Sequence, residues 1–302
     1  MRPCPVCSAT DAGPLWQKAD LHLVRCDRCG MVYANPVPAE YASGQFYDET
    51  AGYYLSPSKL EGDYSPVRFK RELRLFRRHC VGGEVLDVGC SSGAFLFQLQ
   101  RQFAGAYKAL GTDVSGPSLD YAKSRGIPVV RGNFLEHDFA ERRFEAITFW
   151  AVLEHLFEPG RFLEKAVTLL KPNGMCFVLV PNLNSLAVRL LGPKYRYVYP
   201  QHLNYFTKTT LHRLAAAARF RVVETRFTHF NPAVIWSDWR NQGKEVSNNE
   251  RAALLQKTTR LKQNPVLSPA RALYGMTEAA LGTLGLSDNI AVVLRRPETV
   301  AK

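Results

Sequence analysis

The chain has 302 residues, enough for one α/β core of ordinary size with one or two smaller additions. Hydrophobic residues make up 46% and charged residues 22%, as in globular proteins, and no apolar run approaches the ~18 residues that a membrane span needs. The net charge of +12 favours an anionic partner: RNA, a membrane surface, or a phosphorylated or nucleotide-linked substrate. Since the first residues lack the apolar stretch of a secretory signal, we expect a cytoplasmic protein.

Four cysteines near the start of the chain form two C-x-x-C pairs, 18 residues apart: Cys4, Cys7, Cys26 and Cys29. The spacing predicts a Cys₄ zinc site, because each pair lets two thiolates reach one ion. A segment this short buries little core, so bound zinc would supply its folding free energy. A pair of disulfides or redox thiols is the alternative, which a cytoplasmic setting disfavours.

Aromatic side chains crowd the segment from 37 to 65, which also contains many Pro, Gly and Ser residues. It has too many breakers for a regular core element and is too aromatic for a solvated linker. We interpret it as a cover over a cofactor and substrate cleft, with simple packing between ribbon and core as an equal alternative. The basic run from 68 to 78 has apolar residues at helical spacing, which predicts a helix with a solvated basic face.

A strand, a glycine turn and a helix follow one another over residues 84–88, 89–93 and 94–99. Glycines let a ligand approach the backbone closely, and the helix N-terminus offers unpaired N–H groups. The acid at the strand end, Asp87, would compete with a diphosphate for these donors. It suits a ligand that carries an ammonium group and a sulfonium charge.

The segment from Asp87 to Gly93 resembles the first motif of class I S-adenosylmethionine (SAM) methyltransferases, an acidic residue followed by alternating glycines. A compact serine replaces the middle glycine. The spacing does not fit the G-x-G-x-x-G of dinucleotide-binding proteins, and an ordinary glycine turn is the remaining alternative. The resemblance implies that SAM binds at Asp87, Gly89, Ser91 and Gly93.

Two later strands end in further candidate cofactor residues. The strand at 109–115 ends near Asp113, whose carboxylate can accept both ribose hydroxyls of an adenosyl group. After the strand at 127–130 the resembled family has an acidic or amide residue for the adenine amino group and a backbone N–H for a ring nitrogen. The resemblance therefore implies that the Asn133 carbonyl and Phe134 bind adenine.

The strand at 144–150 ends at Trp150, which we expect to line the cofactor site. A helix is predicted to open at 151–156 with a Glu-His-Leu segment similar to that of many small-molecule methyltransferases. The Asn/Asp-Pro-Pro-Tyr/Phe signature of amino-directed nucleic-acid methyltransferases is absent here, which counts against nucleic acid. His155 is a candidate base, and a structural histidine packed on Trp150 is the favoured alternative.

A second candidate base follows the fifth strand, where the resembled family builds its substrate cover. The stretch from 199 to 207 resembles a His-Leu-x-Tyr/Phe-Phe-Ser/Thr stretch of sugar and quinone-type methyltransferases, whose histidine is a base in sugar C-methyltransferases. We therefore take His202 as the candidate general base. Because Gln201 replaces the usual Glu, a purely structural histidine stays an alternative.

The alternation of strands and helices predicts an α/β fold with a parallel sheet, whose ligands lie at the carboxyl ends of the strands. By resemblance we expect a Rossmann-like, mostly parallel seven-stranded sheet with an antiparallel closing strand, an N-terminal zinc ribbon and a helical insert before the last strand. The expected parts are a zinc ribbon at 1–40, a cover segment with a lead-in helix at 41–80, a SAM-binding core at 81–230, and an insert with the closing strand at 231–302.

The ribbon resembles that of sugar-modifying and related small-molecule methyltransferases and, less closely, that of certain ribosomal-RNA methyltransferases. We expect a SAM-dependent, zinc-containing methyltransferase that acts on a small-molecule acceptor, a sugar or glycan-related hydroxyl or carbon in a sugar- or nucleotide-linked compound. An RNA methyltransferase that uses the ribbon and basic surface stays open, as does a SAM-binding or zinc-dependent interaction protein without turnover. The oligomeric state and the role of 231–287 also stay open; a partner helix, a dimer contact or an interfacial membrane helix would fit that segment.

Overall fold

Two β-sheets organise the chain, a seven-stranded sheet in the core and a four-stranded sheet beside it. The computed structural model describes residues 2–37, 45–242 and 268–298, together with residues 250, 253, 254 and 256. The smaller sheet contains β1 (Ala12–Lys18), β2 (Leu21–Cys26), β3 (Val32–Ala34) and β9 (Asn204–Tyr205). The larger sheet contains β4 (Gly83–Val88), β5 (Tyr107–Asp113), β6 (Val129–Arg131), β7 (Phe144–Trp150), β8 (Leu170–Pro181), β10 (Arg221–Thr228) and β11 (Asn289–Arg295).

The larger sheet has the strand order β10-β11-β8-β7-β4-β5-β6. The strands from β4 to β8 are parallel, and β11 runs antiparallel to both β8 and β10. The predicted α/β fold with a mostly parallel seven-stranded sheet and an antiparallel closing strand is confirmed. Because β11 runs antiparallel to β8, residue 289 at the start of β11 lies opposite Pro181 at the end of β8.

The pleat of the strands divides the core into two layers. Val85 packs in the layer that holds Phe76 and Phe95, whereas its neighbour Leu86 packs in the opposite layer with Phe149. Successive strand residues point to opposite faces, so both faces of the sheet need a covering layer of helices. This explains the nearly continuous apolar sequence of the central strands.

Eleven α-helices lie among the described residues. They are α1 (Gln45–Glu49), α2 (Ala51–Tyr54), α3 (Pro57–Asp63), α4 (Lys70–His79), α5 (Ala94–Gln102), α6 (Gly116–Ser124), α7 (Pro159–Leu169), α8 (Leu186–Leu191), α9 (Lys208–Ala217), α10 (Pro232–Arg240) and α11 (Ser268–Thr283). The helix predicted to open at residue 151 is replaced by a single 3₁₀ turn, Leu153–His155, and α7 begins only at Pro159. Proline fits the first turn of a helix but disfavours a helical residue before it, which explains the interruption.

The aromatic cover segment forms three short helices, although its composition predicted no regular elements. Asp48 on α1 accepts a hydrogen bond from the backbone N–H of Gly116 at 2.8 Å and pairs with Arg131 at 2.7 Å. The Tyr64 hydroxyl, just after α3, donates to the carbonyl of Ser92 at 2.5 Å. These contacts join the three helices to the glycine turn and to the start of α6, and the role of the segment as a cover stays a prediction.

The smaller sheet joins the N-terminal segment to the core. Its order is β1-β2-β3-β9, all antiparallel, and β9 comes from the segment after β8. Phe206, next to β9, forms a parallel bridge with Asn182 at the end of β8. The division of the chain into four parts at residues 40, 80 and 230 stays a prediction.

The described part of the insert consists mainly of α10 and α11; most of 243–267 lies outside the described residues. Among the helices that the structure describes, none combines the length and apolarity that a bilayer span requires.

Candidate active site

The turn between β4 and α5, residues 89–93, forms a glycine cradle whose backbone is left-handed at three positions. Gly89 and Gly93 have φ angles of +71° and +77°, and Ser91 has +49°. A Cβ on Gly89 would lie 2.7 Å from the Cγ2 atom of Val152, and one on Gly93 would lie 3.0 Å from the Cβ of Ala122. Glycine is therefore required at both ends of this turn.

Asp113 at the end of β5 closes one side of the cradle. One carboxylate oxygen accepts the backbone N–H of Ser91 at 2.8 Å, and the other accepts that of Ser115 at 2.9 Å. Burial raises the pKa of Asp113, while these N–H groups oppose the shift. Each carboxylate oxygen has a second lone pair, so the side chain is fixed and can still accept two hydroxyl groups.

Asp87 at the end of β4 lies beside it, only 3% exposed. The Thr148 hydroxyl donates to its Oδ1 atom at 2.5 Å. Burial raises the pKa of Asp87 to about 7, the Thr148 hydrogen bond opposes the rise, and the nearby Asp113 carboxylate adds to it. A cation bound in the cradle would relieve this cost by favouring the ionised carboxylate.

Asn133 and Phe134 have partners within the protein. The carbonyl oxygen of Asn133 accepts the backbone N–H of Leu135 at 3.0 Å, and its amide donates to Glu136 at 2.9 Å. The Phe134 ring is buried and stacks on Phe162 at 5.5 Å, so its side chain is part of the core. A role in adenine binding needs the second lone pair of Asn133 and the backbone of Phe134, and stays a prediction.

The sequence favoured a structural His155 that packs on Trp150, but the two rings do not contact each other. The Trp150 ring contacts Phe95 and Phe177, with centroids at 5.2 and 6.2 Å. His155 instead contacts His202 at 4.8 Å and Tyr47 at 6.4 Å. Trp150 ends β7 with its ring on the α5 side of the sheet, whereas the 3₁₀ turn carries His155 above the strand ends.

Glu154, His155 and His202 form one cluster, with ligand-type atoms that all lie within 4.8 Å of one another. Backbone and side-chain hydrogen bonds hold its two segments together: Leu203 N–H donates to the Glu154 carbonyl at 2.7 Å, and the Asn204 amide donates to the Leu153 and Leu156 carbonyls at 2.9 and 2.7 Å. The sequence pointed to both histidines. It did not single out Glu154, although the Glu-His-Leu segment contained the signal.

Burial controls the charge of this cluster. It raises the pKa of Glu154 to about 8, and no described group hydrogen-bonds to its buried Oε2 atom. Burial also lowers the pKa of His155 to about 4, despite the contact of its Nδ1 with the Gln201 carbonyl at 2.9 Å. That carbonyl can only accept, so Nδ1 carries the proton and Nε2 keeps its lone pair.

Aromatic rings surround the cluster. The His202 ring lies 4.4 Å from Tyr199, and Tyr197 stacks parallel to it at 6.3 Å with an interplanar angle of 13°. Tyr47 on the cover reaches the other side of His155, and the pKa of Tyr47 is raised by burial and also by Tyr54, Asp113 and Glu154. Tyr47 therefore lies between the cradle and the cluster, a position that the sequence did not reveal.

The four ribbon cysteines form a second group of ligand-type side chains. Their sulfur atoms lie within 4.8 Å of one another, with Cys4 3.5 Å from Cys29 and Cys7 3.5 Å from Cys26. Tetrahedral zinc with bonds of about 2.3 Å needs sulfur atoms about 3.8 Å apart. The cysteines are free thiols and not disulfides, and their arrangement fits one zinc ion.

The sequence matches the family described as methyltransferase domain over residues 64–225, more than half of the chain. The chain belongs to the methyltransferase domain family. The match includes the glycine cradle, Asp113 and the Glu154–His155–His202 cluster, so the methyltransferase assignment from the sequence is confirmed at the level of the family.

Curated relatives match part of the chain. The ubiquinone biosynthesis O-methyltransferase of Bradyrhizobium diazoefficiens is 32% identical over 136 residues, which are 42% of this chain and 52% of that protein. The enzyme of the same name from Pasteurella multocida is 30% identical over 158 residues, 45% of this chain and 64% of that protein. The chain thus spans about half to two thirds of the length of these two relatives.

Solved structures share the fold. The [4+2]-cyclase SpnF has a TM-score of 0.56 at 17% identity, with 87% of this chain and 99% of that chain covered. A SAM-dependent methyltransferase of Thermotoga maritima has a TM-score of 0.55 at 15% identity, covering 84% and 99%. The SAM complex of phosphoethanolamine N-methyltransferase 2 from Haemonchus contortus has a TM-score of 0.54 at 14% identity, covering 88% and 62%.

Proposed function

We propose that the protein transfers the methyl group of SAM to a hydroxyl oxygen of a small aromatic molecule. The observation that carries the proposal is the buried Glu154–His155–His202 cluster, lined by tyrosines and placed directly beside the glycine cradle. Val152, two residues before Glu154, packs against Gly89, so the cradle and the cluster are neighbours. The two curated relatives named above are O-methyltransferases, which supports an oxygen acceptor.

The residues of the cradle fit SAM. Asp113 can accept the ribose hydroxyls, and ionised Asp87 can balance positive charge. Gly89 and Gly93 allow the left-handed, tightly packed turn that brings the backbone N–H groups at the start of α5 to this end of β4. SAM, when bound, supplies a methyl group on a sulfonium with a good leaving group. The protein therefore has to align the acceptor and remove its proton.

His202 is our first candidate for the base. Its ring is held by tyrosines on several sides, and a neutral imidazole can accept a hydroxyl proton near neutral pH. His155 has a fixed tautomer with its Nε2 lone pair available, but its lowered pKa makes it a weaker base. Glu154, with a pKa of about 8, is protonated near neutrality and so leaves the cluster without a buried negative charge.

The aromatic acceptor replaces the sugar expected from the ribbon resemblance, because tyrosine and histidine rings line the cluster and stack well on a planar acceptor. The relatives named above support neither a sugar nor RNA. We propose a structural role for zinc, held by the four cysteines. Cytoplasmic localisation stays a prediction.

The test is methyl transfer from isotopically labelled SAM to three acceptor classes: an ortho-dihydroxylated benzoate, a nucleotide-linked sugar and a structured RNA. We expect label in the aromatic compound only, as a methyl ether found by mass spectrometry. Asp113→Ala, which should weaken SAM binding, serves as the control. Label found in the sugar or in the RNA would contradict the proposed aromatic acceptor and identify another acceptor class. SAM binding without transfer to any class would overturn the proposal that the protein is an enzyme.

A further inference from the structure

Helix α10 turns two tryptophans toward solvent. Trp236 and Trp239 are 59% and 55% exposed, and their rings stack with centroids 5.2 Å apart and an interplanar angle of 27°. The residues are three apart and so share one face of the helix. Tryptophan is highly buried on average in soluble proteins, so a pair of exposed indoles needs an explanation.

A buried ion pair sets the orientation of this helix. Asp238 is 2% exposed and accepts hydrogen bonds from the backbone N–H and the Nε atom of Arg196 at 2.8 and 2.7 Å. Val234, one turn earlier, is buried on the same side. Because Asp238 and Val234 anchor one face of α10, the two tryptophans are held on the outer face.

The neighbouring helix also exposes a large apolar side chain. Helix α8 packs against α10, and its Leu190 is 64% exposed. Exposed apolar residues that occur singly are ordinary on a protein surface, whereas two indoles stacked on each other form a contiguous apolar patch, the kind of feature that marks an interaction site.

The charge of this surface has one sign. The sequence contains no Asp or Glu from residue 183 to 206, and the single acid from 229 to 242 is Asp238, which is buried against Arg196. The exposed charged residues of the two helices and the turn after α8 are basic: Arg189, Lys194 and Arg240. An anionic partner is therefore favoured over a neutral one.

We propose that α8 and α10 form a docking surface for an anionic membrane. Indole rings prefer the boundary between headgroups and acyl chains, and lysine and arginine are attracted to anionic headgroups. RNA would also be attracted by the positive charge. However, two indoles stacked on each other have fewer free ring faces on which bases could stack, and the aliphatic Leu190 can neither stack with a base nor form a hydrogen bond. Since none of the described helices could span a bilayer, the attachment is peripheral.

Vesicle flotation of the full chain tests the proposal. We expect the protein to float with phosphatidylglycerol vesicles at low salt and much less with phosphatidylcholine vesicles, together with a blue shift of tryptophan fluorescence. Trp236→Ser/Trp239→Ser should weaken vesicle binding by about ten-fold or more, because interfacial indoles supply the apolar contribution. The matched control is Val81→Ser/Met276→Ser, which removes two side chains that are each 71% exposed elsewhere on the protein.

Circular dichroism melting of both double variants checks that they fold, and binding by the control should equal that of the wild type. Absence of the wild type from the anionic vesicles would overturn the proposal, as would equal flotation of the tryptophan variant. The surface would instead be assigned to nucleic acid if the wild type does not bind vesicles but shifts structured RNA in a native gel, and if the tryptophan variant loses this RNA binding.

Discussion

At the scale of single residues, Asp113 offers the clearest test of the cradle. Asp113→Ala should weaken SAM binding by about 2–3 kcal/mol, the range for hydrogen bonds to a charged group. Calorimetric titration measures this loss. The same carboxylate anchors Ser91 and Ser115, so Asp113→Asn, which can still accept hydrogen bonds, serves as the comparison. Unchanged SAM affinity in the alanine variant would contradict the assignment of Asp113.

Asp87 should make SAM binding depend on pH. Its carboxyl has a pKa of about 7 without ligand, and a cationic ligand favours the ionised form, so binding releases a proton below that pH. SAM affinity should therefore rise with pH up to about 7, by at most about ten-fold per unit. Titrations in two buffers with different ionisation enthalpies measure the released proton.

Asp87→Asn should remove this pH dependence of SAM affinity. Glu84→Gln changes an acid at the other end of the same strand and should keep it. A pH dependence that survives in Asp87→Asn would assign it to another group.

Steady-state kinetics of single variants can distinguish which of the two histidines is the general base. If His202 is the base, His202→Asn should leave SAM affinity and the melting temperature nearly unchanged, while turnover falls by roughly 10²–10⁴ and its rise with pH near neutrality disappears. His155→Asn is the matched comparison, since it removes the other imidazole of the same cluster. Normal turnover of His202→Asn, or activity lost only because the protein melts, would transfer the role to His155 or to a tyrosine of the cover.

At the scale of elements, the N-terminal segment that carries the four cysteines helps to position the Glu154–His155–His202 cluster. Strand β3 pairs with β9, directly after His202. Arg2 donates from its guanidinium to the carbonyls of Ala34, Phe157 and Leu203 at 3.2, 2.8 and 2.7 Å, and so connects the ribbon to the segments on both sides of the cluster. Loosening the ribbon should therefore disturb methyl transfer more than SAM binding.

Zinc removal tests this coupling. Purified protein should carry about one zinc per chain, as four thiolates imply, and chelation or Cys26→Ala should lower turnover much more than SAM affinity. Cys80→Ala, at a buried cysteine outside the ribbon, is the control and should keep the metal. Metal analysis that finds no zinc, or turnover that is unchanged after its removal, would contradict the prediction.

At the scale of the whole molecule, buried carboxyls should make stability fall as pH rises. Burial raises the pKa values of Asp87 and Asp288 to about 7 and that of Glu154 to about 8. A group with a raised folded pKa stabilises the protein fully below its unfolded value, near 4, and that stabilisation is lost as pH rises through the folded value. His155, with its lowered pKa, acts oppositely and reduces stability below about 6.5.

The melting temperature without ligand should therefore be highest near about pH 4–5 and fall toward pH 8, because the three carboxyls lose their stabilisation over this range while His155 alone among these groups acts oppositely. Thermal unfolding followed across this range measures it, and Glu154→Gln should flatten the fall because it removes one of the titrating groups. A melting temperature that rises steadily from pH 6 to 8 would contradict the prediction.

The order along the chain of the seven strands of the larger sheet, and the ligand types at their ends, could be predicted from the sequence. Apolar periodicity fixed the central strands, the glycines fixed the turn after β4, and the C-x-x-C pairs fixed the grouping of four cysteines. These features are local, or depend on the rule that parallel strands present their carboxyl ends at one edge. Asp87 and Asp113 could therefore be placed together without a structure.

Contacts between segments that are distant in the sequence could not be predicted and are seen only in the folded protein. The Glu154–His155–His202 cluster depends on Asn204 and Leu203 bonding to the turn at 153–156, and Tyr47 reaches it from more than 100 residues away. The pairing of β3 with β9 joins residues about 170 positions apart. Such contacts form because each segment satisfies its buried polar groups with the other, and no periodicity within either segment encodes that choice. The charge states of the cluster follow from the same burial, which the sequence alone does not define.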